Sequence, residues 1–131
     1  MRGEIITRIC VGLWMALPLV AWAADPLGVA LMFTPRNKCQ GESPEIRLTQ
    51  IPPGTVAYKV QMIDEDVPSF PHWDQTIPAT GPVIPAGAGK DGYYGPCPPS
   101  GKHTYRVTVT AVDAAGRPLA QGEYVTQTDR H

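Results

Sequence analysis

The chain has 131 residues, enough for one domain of ordinary size and too few for two. Its 11 basic and 12 acidic side chains nearly cancel, so the net charge at pH 7 is −1, and no basic stripe or charged block interrupts the sequence. This composition argues against nucleic acid and anionic membrane surfaces as partners.

The first 23 residues have the pattern of a secretory signal peptide. A basic start is followed by the apolar run 9–20 and then by Ala21 and Ala23, the small residues that a signal peptidase reads. The apolar run is shorter than the length that a transmembrane helix usually needs. We expect cleavage between Ala23 and Ala24. The mature chain, 24–131, is then a single domain without a transmembrane span, located in the periplasm or secreted.

Alternating apolar and polar residues predict β-strands separated by turns rich in proline and glycine. In chain order, the predicted strands cover 29–34, 46–49, 56–62, 104–111 and 119–126. No segment has a convincing helical period. We therefore predict an all-β antiparallel sandwich with long loops at one end.

Two cysteines, Cys39 and Cys97, remain after export into an oxidising compartment, where cysteines most often pair. The chain-entropy model predicts that a disulfide closing so long a loop stabilises the folded state by roughly 4 kcal/mol. A metal-binding or reactive thiol is the alternative, but neither a CxxC motif nor a Cys/His cluster of zinc spacing supports it. We predict a structural disulfide, and we predict no metal and no cofactor.

The segment 64–93 keeps no period of two and contains five prolines, so it is predicted to be a long irregular loop. Loops of this length inside a small domain are usually functional when they are ordered. The segment is therefore a candidate for binding a ligand or a partner.

Two groups of polar side chains border this loop. Asp64 and Asp66 follow one predicted strand, with His72 shortly after them, while His103 and Tyr105 follow a stiff, proline-rich stretch. Taken singly, each residue fits an exposed or structural role. Brought together by adjacent strands, they could bind an anion, bind a metal or perform acid/base chemistry. The residues alone leave these three possibilities open.

Several short motifs occur along the chain in a fixed order. They are S-P-E-I at 43–46, I-P-P-G-T at 51–55, D-E-D-V-P at 64–68, H-W at 72–73 and Y-G-P-C-P-P-S-G-K-H-T-Y at 94–105. Together they resemble the phosphatidylethanolamine-binding protein (PEBP) family, which includes the Raf kinase inhibitor proteins. The resemblance extends over roughly residues 39–113, and the motifs are specific in combination although each is weak alone.

The resemblance implies a Greek-key β-sandwich with a small cavity for an anionic group, such as a phosphate head group or an acetate-like ion. The residues that match the family's cavity are Asp64, Asp66, His72, Tyr94, Gly95, Pro96, His103 and Tyr105. Imidazoles and phenols donate hydrogen bonds to anion oxygens, and carboxylates can orient the imidazoles from behind. The family also implies a cis bond before Pro68.

The sequence departs from the family pattern in two places. Residues 74–78 are polar where the family has an apolar strand, so the resemblance does not predict that strand or the cavity wall behind His72. The chain also ends without the family's C-terminal helix, so that side of the cavity is expected to be open or built differently.

The sequence therefore predicts an exported protein that binds a small anionic or phosphorylated ligand and is not an enzyme. One alternative is a protein-interaction module, such as a peptidase inhibitor that contacts a protein partner through 64–93, since some family members inhibit peptidases. A second alternative is a hydrolase with His72 or His103 as general base. It ranks last because the sequence has no nucleophile motif, no phosphate-binding loop and no metal-binding helix.

Overall fold

The structure, a computed structural model, describes residues 25–131 together with Gly12. The predicted signal peptide and its cleavage site lie outside the described residues, Gly12 excepted. In the described part of the chain, no helix is long and apolar enough to cross a membrane.

Residues 25–131 form two antiparallel sheets. The strands are β1 Gly28–Leu31, β2 Ile46–Thr49, β3 Ala57–Asp64, β4 Trp73–Pro78, β5 Val83–Ile84, β6 His103–Val112 and β7 Pro118–Thr128. One sheet has the strand order β1-β2-β5 and the other has the order β4-β3-β6-β7. The helical content of this part of the chain is two short 3-10 turns, Pro35–Asn37 and Lys90–Gly92. The predicted all-β antiparallel fold is confirmed.

The core lies between the two sheets and is centred on β6. Tyr105, Val107 and Val109 alternate with polar residues along this strand and are fully buried, as the period of two predicts. Ile46 and Leu48 of β2 approach the same core from the opposite sheet. Each such side chain stabilises the fold by about 1.5–3 kcal/mol when it is fully removed from water.

A close approach of two backbones joins the sheets at one edge. The Leu27 amide donates to the Gln121 carbonyl over 3.2 Å, so the segment before β1 lies against β7. A Cβ added at Gly122 would lie 1.8 Å from the Leu27 carbonyl oxygen. Only glycine fits at this position without moving one of the two backbones.

The prediction of an irregular 64–93 segment is wrong, because β4 and β5 lie within it. Trp73 and Ile77 of β4 are buried, whereas Asp74 and Thr76 face water. β4 is one of the two edge strands of its sheet, and its outer face carries polar residues. Because of these polar residues, the sequence does not show the apolar pattern of a strand. The strand that the family resemblance left unpredicted is therefore present.

The predicted disulfide between Cys39 and Cys97 is present, with a Cα–Cα distance of 4.8 Å. Backbone hydrogen bonds lie beside it. The Cys39 amide donates to the Pro96 carbonyl over 3.1 Å, and the Gly95 amide donates to the Cys39 carbonyl over 2.7 Å. These contacts hold the proline-rich loop 94–99 against the turn that follows β1.

A buried lysine ties the same turn to the end of β7. The Lys38 ammonium donates to the Thr128 hydroxyl and to the Asp129 carbonyl oxygen. Burial lowers the pKa of Lys38, and the nearby Asp129 carboxylate opposes part of that effect. The turn before Cys39 is therefore anchored on both sides, by the disulfide and by this cation.

Candidate ligand-binding site

Strand register brings the predicted site residues to one end of the four-stranded sheet. β3 and β6 run antiparallel with Asp64 opposite Tyr105, so the end of β3 meets the start of β6. β4 begins at Trp73, opposite Met62 of β3, which places His72 at the same end. Side chains far apart in sequence therefore converge.

A cavity of about 260 Å³ opens at this end of the sheet. Its lining residues are Asp64, Val67, Phe70, His72, Tyr94, Cys97, Pro98, Pro99, His103 and Tyr105. Of the predicted site residues, the structure brings together Asp64, His72, Tyr94, His103 and Tyr105.

Asp64 is buried and accepts hydrogen bonds at both carboxylate oxygens. His103 donates from Nδ1 to Oδ2 over 2.6 Å, and the amides of Asp66 and Val67 donate to Oδ1 over 2.9 and 3.2 Å. Burial alone would raise the pKa of Asp64, but the bonds from His103, Asp66 and Val67 outweigh burial and lower it. The ionised carboxylate thus orients the imidazole and leaves Nε2 of His103 available.

His72 is oriented by the backbone of Tyr94. Its Nδ1 lies 2.8 Å from the Tyr94 carbonyl oxygen, and the Tyr94 amide donates to the His72 carbonyl over 2.8 Å. A carbonyl oxygen only accepts, so Nδ1 carries the hydrogen. Nε2 of this buried ring has no protein partner within residues 25–131 and is free to contact a ligand.

Tyr105 presents a buried hydroxyl to this site. The residue is 0% exposed, and within residues 25–131 its hydroxyl makes no hydrogen bond of standard geometry, although the Asp64 side chain and the Cys97 backbone lie close to it. Burial, followed by the negative charge of Asp64, raises the pKa of the phenol, so the hydroxyl keeps its proton. A buried donor without an acceptor costs about 1–3 kcal/mol.

Replacing Tyr105 with Phe is expected to increase the free energy of unfolding by about 1–2 kcal/mol in buffer free of small anions, because the unpaired hydroxyl is removed. Urea unfolding followed by circular dichroism measures this change. Tyr58→Phe is the matched control, since the buried Tyr58 hydroxyl donates to the Gly81 carbonyl over 2.9 Å. The control should lose stability. A loss in Tyr105→Phe as well would mean that its hydroxyl is already paired in the free protein.

Asp66, Gly95 and Pro96 do not line the cavity. Asp66 accepts from the Thr104 amide through Oδ2 over 2.8 Å, which fastens the loop after β3 to β6. A Cβ added at Gly95 would lie 1.9 Å from the Asn37 carbonyl oxygen, and the Pro96 side chain is fully buried. Gly95 and Pro96 lie where the backbone packs too closely to leave room for a ligand, whereas Asp66 is exposed on the loop after β3.

The apolar part of the cavity was not predicted from the sequence. Val67 and Phe70 are large and partly exposed at its edge, and Pro98 and Pro99 form part of its wall. The sequence signal for this apolar lining was a pair of apolar side chains in the loop that follows three acidic residues. The implied cis bond before Pro68 is not found: peptide bonds throughout residues 25–131 are trans.

Asp64, Asp66 and His103 are the described residues whose ligand atoms could converge on a metal ion, since one such atom from each lies within 4.8 Å of the others. Oδ2 of Asp64 is already bonded to His103, and Oδ2 of Asp66 is bonded to the Thr104 amide. A cation would compete with both hydrogen bonds. The cluster is therefore explained by its contacts within the protein.

Comparison with known proteins matches this arrangement to a family. The sequence profile described as Phosphatidylethanolamine-binding protein matches residues 27–130. The chain belongs to the phosphatidylethanolamine-binding protein family. The match covers every strand and the whole candidate site, so the resemblance of the motifs is confirmed for this PEBP-family chain.

Two solved structures have the same PEBP fold. Escherichia coli YbcL, described as a new member of the mammalian PEBP family, has a TM-score of 0.60 and 20% identity, and the match covers 82% of this chain and 96% of YbcL. A PEBP homologue from Chlamydia trachomatis also has a TM-score of 0.60, with 22% identity and coverage of 82% and 94%. Identities this low show a common fold.

One curated relative of this PEBP-family chain is a UPF0098 protein from Archaeoglobus fulgidus. It is 51% identical over 39 residues, which are 30% of this chain and 12% of the archaeal protein. The matched segment therefore spans only a small part of that relative.

Proposed function

We propose that this PEBP-family protein binds a small anionic or phosphorylated ligand in the cavity between His72 and His103. The observation that carries the proposal is the buried Tyr105 hydroxyl, which makes no hydrogen bond of standard geometry within residues 25–131 and belongs to a residue that lines the same cavity as the two imidazoles. Buried polar groups are nearly always paired. An anion oxygen would supply the acceptor that this hydroxyl lacks.

The donor set suits an anion in both number and kind. Nε2 of His72, Nε2 of His103 and the Tyr105 hydroxyl can each donate once the imidazoles are protonated. Hydrogen bonds from charged donors to anionic oxygens are roughly twice as strong as neutral ones. The Asp64 carboxylate also lines the cavity and repels an anion, so binding requires the positive charge of a protonated His103, whose Nδ1 is bonded to Asp64, to offset it.

The residues that line the cavity disfavour covalent catalysis through a protein nucleophile. Cys97 is held in the disulfide, and the phenol of Tyr105 keeps its proton, so neither offers a nucleophile. The family's name refers to phosphatidylethanolamine, and its phosphate belongs to the class of anion proposed here. The signal-like segment 1–23 supports a periplasmic or secreted site of action.

A second candidate function is a protein-interaction module of the peptidase-inhibitor type. Its support is the partial exposure of Val67 and Phe70, two large apolar side chains in the 64–93 segment. This function would survive replacement of the two cavity histidines, whereas anion binding would not.

Thermal unfolding with and without sodium phosphate tests the proposal, with sodium chloride at matched ionic strength as reference. The wild-type midpoint is expected to rise by several degrees, because a ligand at 100 times its Kd stabilises the fold by about 2.7 kcal/mol. His72→Ala and His103→Ala should lose most of this rise. His131→Ala is the matched control and should keep it, since His131 is exposed and does not line the cavity. The proposal is wrong if phosphate and acetate leave the wild-type midpoint unchanged.

A further inference from the structure

A groove of about 560 Å³ lies directly beside the cavity. Its aromatic lining includes Phe70, Trp73, Tyr93 and Tyr94, and its carboxylates are Asp74 and Asp91. Three rings, those of Phe70, His72 and Tyr94, line both volumes. The two volumes are therefore separated by one layer of side chains.

Phe70 is the least constrained member of this layer. His72 and Tyr94 are tied to each other by two hydrogen bonds, whereas Phe70 meets them through ring contacts alone, with centroid distances of 4.8 and 5.4 Å. Its side chain is 43% exposed. A large aromatic ring at the edge of a polar cavity offers a flat apolar surface to any part of a bound ligand that extends out of the cavity.

The size of the cavity limits how much of a ligand it holds. Pockets that bury whole organic ligands usually measure about 300–1,000 Å³. The cavity lies below that range, and the groove lies within it. A ligand too large for the cavity must therefore extend beyond it, and Phe70 lies where the cavity borders the groove.

Charge limits what the groove accepts. Asp74 and Asp91 are its charged lining residues and both are exposed, and no lysine or arginine from residues 25–131 lines it. A second anionic group on the ligand would meet these carboxylates and be repelled. An uncharged ring, or a cationic group, which aromatic faces also attract, would not be repelled.

We infer that the groove is a second binding subsite of the same ligand. It receives an uncharged or cationic, ring-sized substituent that packs on Phe70 while the anionic group occupies the cavity. The inference rests on the proposed function, and it adds a class of ligand: organic phosphates or carboxylates with one anionic end.

Isothermal titration calorimetry with inorganic phosphate and phenyl phosphate tests the subsite. The wild type should bind phenyl phosphate about tenfold more tightly than phosphate, and Phe70→Ala should lose most of this preference. Phe70→Leu, which keeps apolar bulk without a ring, should give an intermediate preference. Val125→Ala is the matched control, because Val125 is also 43% exposed but lies on β7 and lines neither volume.

A third probe, 4-carboxyphenyl phosphate, tests the charge of the groove. The wild type should bind it about three- to tenfold more weakly than phenyl phosphate, and the double variant Asp74→Asn with Asp91→Asn should remove that difference. Equal affinity of the wild type for phosphate and phenyl phosphate, or an unchanged preference in Phe70→Ala, would overturn the subsite while leaving anion binding intact. Failure of the wild type to bind any of the three probes would refute the proposed function itself.

Discussion

Replacing Cys39 and Cys97 together with alanine is expected to lower the free energy of unfolding by about 4 kcal/mol at 25 °C. The two residues are 58 positions apart, so the disulfide removes a large amount of loop entropy from the unfolded chain. Because a domain of this size is stable by only about 5–15 kcal/mol, the loss is a large share of the total.

Urea unfolding of the wild type and the double alanine variant measures this effect. Wild-type protein unfolded with a thiol reductant is the internal control and should match the variant. Equal urea midpoints for oxidised wild type and variant would contradict the prediction. That result would mean that the unfolded chain is already compact, so that the disulfide removes little of its entropy.

Replacing Asp64 with alanine is expected to lower the free energy of unfolding by about 3–5 kcal/mol at pH 7. The change leaves the His103 imidazole and the Asp66 amide without the acceptor that buried Asp64 supplies, whereas the Val67 amide keeps the Asp64 carbonyl at 3.2 Å. Asp66→Ala is the matched control, since that exposed carboxylate has one backbone partner, the Thr104 amide. The control should lose only about 1 kcal/mol.

The effect of Asp64 should depend on pH in a defined direction. Its pKa is lowered in the folded protein, so folding favours the ionised carboxylate. The stabilisation is then complete above the unfolded value of about 3.9 and is lost as pH falls through the folded pKa. Urea midpoints of the wild type and Asp64→Ala, measured from pH 7 to pH 3, should therefore converge below about pH 4. A difference that stays constant with pH would show that the charge of Asp64 contributes nothing.

The fold was predictable wherever one face of a strand is apolar. Val107 and Val109 of β6 alternate with polar residues because only one face of that strand meets the core, and this period is visible in the sequence. β4 was not predictable by the same rule. Asp74 and Thr76 of β4 face water at a sheet edge, and Trp73 and Ile77 are the only apolar residues on the buried face of this strand.

The candidate site was predictable in its chemistry and less so in its geometry. Motif order suggested that Asp64, His72 and His103 lie together, and strand register brings them together. Sequence could not show that Pro96 faces away from the cavity or that Phe70 lies at its edge. Both depend on the path of loops, which local composition does not determine.

The antiparallel register of β3 and β6 has a consequence for how the chain folds. Asp64 meets Tyr105 only after a long stretch of chain has been closed into a loop, and pairing of this non-local kind places small β-proteins among the slower two-state folders, in milliseconds to seconds. No local fragment contains the cavity, because β3, the start of β6 and the loop before β4 all contribute to it. A ligand of this site therefore binds only chains in which β3 and β6 have paired and both loops are in place, and it stabilises that state over any less complete intermediate.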